Sequence, residues 1–208
     1  YLSGAAAEAI LPGMLPFNSR GIESLIPGFE GFESILFDEG EFYLTVEARQ
    51  GAGMMGYLVR GEISGDCERL SLTREQPVPI QPQAGLGNMS DETLVLYANQ
   101  LYTLYEANGM NVNRSPVAHR FERSLEASGT LPLPFIEYRI TDATEVDEQG
   151  AFWALNTFFP GDTKLKPGVD QIAQSFGLGA SHLEAAHVER LINLQIEEDR
   201  ISLRENPP

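Results

Sequence analysis

The chain has 208 residues, 42% of them hydrophobic, which is enough for a real core in one large domain or two small ones. Its net charge of −16, with only 14 Lys and Arg spread along the chain, argues against nucleic acid or an anionic membrane surface as partner, since both need clustered positive charge. The single cysteine, Cys67, excludes an internal disulfide and a cysteine-based zinc cluster, and no run approaches the ~20 apolar residues of a membrane span.

In chain order, residues 1–10 are small and Ala-rich, suited to a helical turn or a strand edge, and the start at Tyr1 rather than Met suggests processing or truncation. Pro12, Gly13 and Pro16 exclude a long helix over 11–17. Residues 18–21 read as a turn, and 22–26 as a brief apolar segment closed by Pro27 and Gly28. A first full unit follows. Residues 32–37 and 41–48 flank Asp38-Glu39-Gly40, which reads as a tight hairpin. Residues 55–63 alternate apolar and polar, as a half-buried strand does. Residues 69–72 and 78–80 supply a fourth, edge strand, where Pro77 and Pro79 suit an edge because proline donates nothing to a ladder. Residues 81–88 form a linker.

A second unit has strands over 93–97 and 100–107 joined at Ala98-Asn99, then 117–125 and 131–136. A third starts at 140–146, turns at 147–150 and runs through 152–159. An interruption over 160–187 holds one short helix, 169–176, ended by Gly177. Residues 188–196 and 201–203 complete the unit.

The units repeat one another. With Phe42 placed over Leu101, Tyr43 falls on Tyr102, Glu47-Ala48 on Glu106-Ala107, and Glu33 on Glu92. One inserted residue in the third turn brings Phe152-Trp153 into the aromatic columns and Asp142 into the Glu33/Glu92 column, while Asn156 misses the Glu47/Glu106 column by one. Four consecutive antiparallel strands make a propeller blade. The expected fold is therefore all-β: a single domain over residues 1–208 forming a β-propeller with about three four-stranded antiparallel blades, near 32–80, 91–136 and 140–203. Three blades do not close a ring, since four to eight are typical. The expectation is thus a piece of a larger five- or six-bladed propeller, truncated at both ends, or one completed by a partner chain.

GFEGFESI (28–35), FYLTVEA (42–48), NMSDE (88–92), TLYEANGMNVN (103–113), PVAHRF (116–121), EYRITDAT (137–144) and FWALNTFFPGD (152–162) resemble a group of uncharacterised bacterial β-propeller proteins. Those in turn resemble, more distantly, the esterase-like domain of phytase-type propellers. Members of the group begin with another strand set and continue into a W-E-G strand and a GFLLVTD-like strand. The resemblance implies a propeller fold, an esterase- or phosphatase-like hydrolase as one activity, and an exported (periplasmic, extracellular or lipid-anchored) location. It names no substrate.

Motifs for catalysis are sparse. His119, His182 and His187 contain no HExxH pair. There is no G-x-S-x-G, and Gly179-Ala180-Ser181-His182 lacks a nucleophile elbow. Gly51-Ala52-Gly53 lacks the Gly-Lys of a phosphate loop, and Asp66 and Glu68 disfavour a thiolate at Cys67.

Acidic and amide residues are more informative. Glu106, Asn108, Asn111 and Asn113 crowd eight residues, either as a self-bonded loop or as an oxygen-rich cradle for calcium or a polar ligand. In a propeller the first strand of each blade lines the channel, so Glu33, Glu92 and Asp142 are expected to form a ring that binds a divalent metal, Ca2+. Asn88, Asn108 or Asn111 would complete the shell. Like charges so close need a counter-charge, and Arg139 is the rival neutraliser. Glu47, Glu106, Asn108, Asn111 and Arg139 are the expected ligand-binding residues. Two functions follow: a binder of a small polar ligand or cation at the channel mouth, with or without hydrolase activity, and a non-catalytic propeller that docks protein partners through its acidic surface.

Overall fold

The structure, a computed structural model, describes residues 14–176 and 185–204. The chain is all-β, with 49% strand and 7% helix. Period-two alternation punctuated by turn residues yields sheet everywhere except three short turns of helix.

The first sheet holds β1 (Phe17–Asn18), β2 (Phe29–Asp38), β3 (Glu41–Gln50), β4 (Gly53–Ile63), β5 (Leu70–Leu72) and β6 (Val78–Ile80). It curls into a half-barrel. β2, β3 and β4 form a meander, and β5 and β6 both pair with β4, along Gly61–Ile63 and Gly56–Leu58 respectively. The expected edge strand is thus present in two pieces. β1 pairs with β5 in parallel over two residues, ahead of the expected units. Within the units every pairing is antiparallel. The brief apolar segment after Gly21 is a single helical turn, α1 (Ile22–Leu25).

The second sheet is a meander of β7 (Asp91–Tyr97), β8 (Gln100–Tyr105), β9 (Val117–Glu122) and β10 (Ala127–Pro132). Its last strand comes earlier than the expected 131–136. Leu125 takes a φ of 69° and donates its N–H to Glu122 O at 2.8 Å, so the chain reverses directly after β9. The third sheet is a meander of β11 (Arg139–Ala143), β12 (Ala151–Phe158), β13 (Val188–Ile196) and β14 (Ile201–Leu203). The insertion between β12 and β13 carries a 3-10 turn (Thr163–Leu165) and α2 (Gln171–Phe176). Asp170 caps α2, accepting the Ala173 N–H at 3.0 Å. Residues 1–13, and Gly177 with its expected cap, lie outside the described residues.

Two hairpins close on two-residue turns in which both central residues have positive φ: Glu39 (45°) and Gly40 (87°), Ala98 (48°) and Asn99 (65°). This twist matches that of the flanking strands. The sheets bury their faces against one another. Tyr43, Leu58 and Ile80 meet Leu94, Leu101 and Phe121 between the first and second sheets. Tyr102, Leu104 and Ile136 meet Phe152, Ile192 and Leu194 between the second and third. Phe42, Leu44, Val46, Leu101, Leu104 and Phe152 are buried.

Trp153 is not a core residue. Alternation on β12 turns Phe152 and Ala154 inward, which leaves the half-buried Trp153 with Leu155 and the exposed Leu191 on the outer face of the third sheet. The first strands of the three sheets are neighbours, β2 against β7 and β7 against β11. Their far ends share a cleft of about 390 Å3. No closed ring of sheets is present among the described residues, nor any helix long and apolar enough to cross a membrane.

Candidate functional site

Each first strand carries a β-bulge, and the bulges decide which side chains are equivalent. The register slips between Phe32 and Ser34, between Asp91 and Thr93, and between Ile140 and Asp142. The extra residues are Glu33, Glu92 and Thr141. A bulge leaves its extra residue out of the ladder and re-aims its side chain, which brings Glu33 and Glu92 toward each other.

Asp142 is one position away, equivalent to Ser34 and Thr93. Ten residues separate Ser34 from its partner Thr45, and Thr93 from Leu104, but twelve separate Asp142 from Leu155. The third turn therefore holds two extra residues, not one. Asp142 is exposed, accepts the Ala143 N–H, and sits beside Trp153 and Leu191 away from the glutamates.

Arg139 stands where the third carboxylate was expected. Ala107 and Arg139 form a lone antiparallel bridge, and Glu106 O accepts the Ile140 N–H at 2.9 Å, so the end of β8 is stitched to the start of β11. The guanidinium is thereby held against three carboxylates. Its Nε pairs with Glu106, Nη2 lies 3.2 Å from Glu92 Oε1, and Nη1 lies 3.4 Å from Asp162 Oδ2.

Glu47 joins from β3. Its cross-strand neighbours are Gly31 and Gly56, and other side chains take the space the glycines leave: Glu33 Oε1 lies 3.3 Å from where a Gly31 Cβ would stand, and Asp91 Oδ2 lies 3.3 Å from that of Gly56. Glu30 and Arg49 close the rim with a 2.7 Å ion pair. In all, six carboxylates (Glu30, Glu33, Glu47, Glu92, Glu106, Asp162) meet two guanidinium groups.

That imbalance shows in the titration of the site. Burial pushes the Glu47 carboxyl up to about 7, with Glu33, Glu92 and Glu30 adding to the rise and Ser90 opposing it. Burial also raises Glu33 and Glu92, with Arg139 pulling each down. Glu106 is raised by burial and then by Glu92, again against Arg139. Glu92 and Glu106 titrate as a pair rather than singly. Glu47 Oε1 and Glu106 Oε2 are buried with no well-aligned hydrogen bond, Ser90 standing beside the first and Glu92 beside the second, an arrangement that favours an added donor or cation.

The amide residues belong to the local scaffold. Buried Asn108 donates to Tyr105 O, and exposed Asn111 donates to Lys164 O at 2.6 Å, fastening the loop to the insertion. Asn88 is exposed. His119 Nδ1 lies 3.8 Å from buried Asp91, which already accepts from Thr103 at 2.8 Å. His187 is exposed, and His182 and Ser181 lie outside the described residues. Cys67 is an exposed free thiol.

Sequence reasoning missed Ser90, Asp162 and the Glu30–Arg49 pair, which join the site only through contacts between distant segments. As they stand, the side chains do not fit a carboxylate cage for calcium. Arg139 occupies the middle, Asp142 is elsewhere, and no group of three metal-ligating His, Cys, Asp or Glu side chains is gathered among the described residues. No protein-family model matches the chain, and no curated protein does.

Proposed function

We propose that the three sheets are blades of a larger β-propeller, of the kind its bacterial look-alikes suggest, and that the protein binds a small positively charged ligand at the acidic end of its inner strands. Three meanders with adjacent first strands support the propeller reading. The observation that carries the function is the surplus of carboxylates over guanidinium groups at one seam, with buried carboxylate oxygens that lack a well-aligned donor. A cation there gains Coulomb energy in a poorly solvated cleft and relieves repulsion among Glu33, Glu47, Glu92 and Glu106. Glu33 and Glu47 are the ligand's charge partners, and Arg139 holds Glu92 and Glu106 in place.

A hydrolase reading draws on Glu47 alone, whose carboxyl near 7 lies in the range of a general acid or base. It lacks an assigned nucleophile. Titration calorimetry at pH 8 with methylammonium and, separately, calcium chloride tests the binding reading. Saturable binding weakened about tenfold or more by Glu47→Gln is expected. Absence of binding by either cation overturns it.

A further inference from the structure

The outer face of the third sheet repeats, position by position, a face that the other two sheets bury. Thr45, Leu104 and Leu155 are equivalent, because each pairs with the residue that follows the bulge of its first strand. Two residues earlier in the same strands stand Tyr43, Tyr102 and Trp153. Across the next ladder Leu58, Ala118 and Leu191 oppose Thr45, Leu104 and Leu155. In the first sheet Tyr43 and Leu58 are buried against the second sheet. In the second, Tyr102, Leu104 and Ala118 are buried against the third. Among the described residues no further sheet covers this side of the third. Leu155 is 38% and Leu191 65% exposed there, and Trp153 is only half-buried.

The matching front is also on the molecule. Tyr43 and Leu58 meet Leu94 and Leu101 of the second sheet, with the half-buried Leu96 beside them. Leu94 and Leu96 stand two and four residues past their bulge, and the same count on the first sheet gives Ile35 and Phe37. Ile22 and Ile26 pack into the cluster around Phe42, Leu44 and Val46 and close that part of the first sheet's front. Ile35 and Phe37 remain 51% and 54% exposed.

We propose that the outer face of the third sheet docks on the first sheet of a second copy of this chain, with Trp153, Leu155 and Leu191 of one copy against Ile35 and Phe37 of the other. Repetition selects this occupant. The same face is covered twice within the chain, each time by a sheet that presents an apolar front at those positions, and the first sheet is the one whose front stays open. The contact joins two different faces, so it either closes into a ring or runs on as a filament. Two copies bring six sheets together, within the four to eight of closed propellers, and closure leaves neither face open. The assignment rests on the reading of the sheets as blades and names the partner that completes them. Trp153 is the aromatic anchor at the centre of the contact.

Sedimentation velocity on the wild-type chain from about 1 to about 100 μM tests this. Sodium chloride at about 0.5 M screens the repulsion between two chains of net charge −16. A dimer that grows with concentration is expected, and acrylamide quenching of Trp153 should fall as it forms. Leu191→Glu and Phe37→Glu, both at exposed positions, should each raise the dissociation constant about tenfold or more by placing a charge in an apolar contact, with circular dichroism confirming the sheets. A monomer at every concentration overturns the pairing and leaves the blade reading standing. A dimer broken by Leu191→Glu but untouched by Phe37→Glu joins two third-sheet faces, which also overturns the assignment. Assemblies that grow beyond the dimer would show that the contact does not close, and would overturn the blade reading with it.

Discussion

The lone bridge between Ala107 and Arg139 joins the second sheet to the third and sets the Arg139 guanidinium against Glu106, Glu92 and Asp162. The bridge couples the fold to the site. Removing the cation leaves two enclosed carboxyls without a counter-charge. Arg139→Gln is therefore expected to cost about 3–5 kcal/mol at pH 8. The loss should be smaller at pH 5, because Glu92, raised by burial, holds a proton more of the time there than at pH 8. Urea denaturation at the two pH values measures this, and an equal loss at both would show that the guanidinium is not neutralising those groups.

Glu47 makes stability fall as pH rises. Its carboxyl ionises near 7 in the folded chain and near its ordinary value of 4.5 in the unfolded one. Between those values the unfolded chain loses its proton first, so alkalinity favours unfolding. Glu47→Gln should change little at pH 4.5 and stabilise by on the order of 2 kcal/mol at pH 8. Melting curves across that range should converge at the acid end. A constant offset would refute the assignment.

Phe152 and Trp153 are adjacent but face opposite sides of β12. Phe152→Ala should cost about 3–5 kcal/mol as a core truncation, whereas Trp153→Ala, half-buried on the outer face, should cost about 1–2 kcal/mol. Trp153 is the only tryptophan, so acrylamide should quench the native fluorescence of the dilute, separate chain readily. A shielded indole there, or equal costs for the two truncations, would contradict the arrangement.

Ala98 holds a left-handed φ of 48° at an exposed turn. An L residue with a Cβ is disfavoured there by roughly 1–2 kcal/mol, while glycine costs extra entropy on folding. Ala98→Gly or Ala98→Asn should therefore raise stability by up to ~1 kcal/mol, read as a higher melting temperature. Destabilisation by both would mean that the turn differs from the one described.

Much of the architecture was legible in the sequence because its causes are local. Asp38-Glu39-Gly40 and Ala98-Asn99 dictate tight turns, alternation around Phe42, Leu101 and Phe152 dictates which strand faces are buried, and Pro77 and Pro79 dictate an edge. Three antiparallel meanders follow from those features alone. The polar column was legible only in part. Glu33 and Glu92 were recognised as equivalent, but Asp142 was assigned to Thr141's place, because a bulge and a two-residue turn insertion shift a column without leaving a mark in residue type. The ladder's hydrogen bonding sets that shift. Arg139 was visible as a counter-charge, yet its placement depends on the Ala107 bridge between separate sheets. The remaining members, Glu47 between Gly31 and Gly56, Ser90 and Asp162, come together only when distant strands pack. Charge surplus at a seam is a property of tertiary packing, since it arises from side chains that are neighbours in space and far apart in the chain.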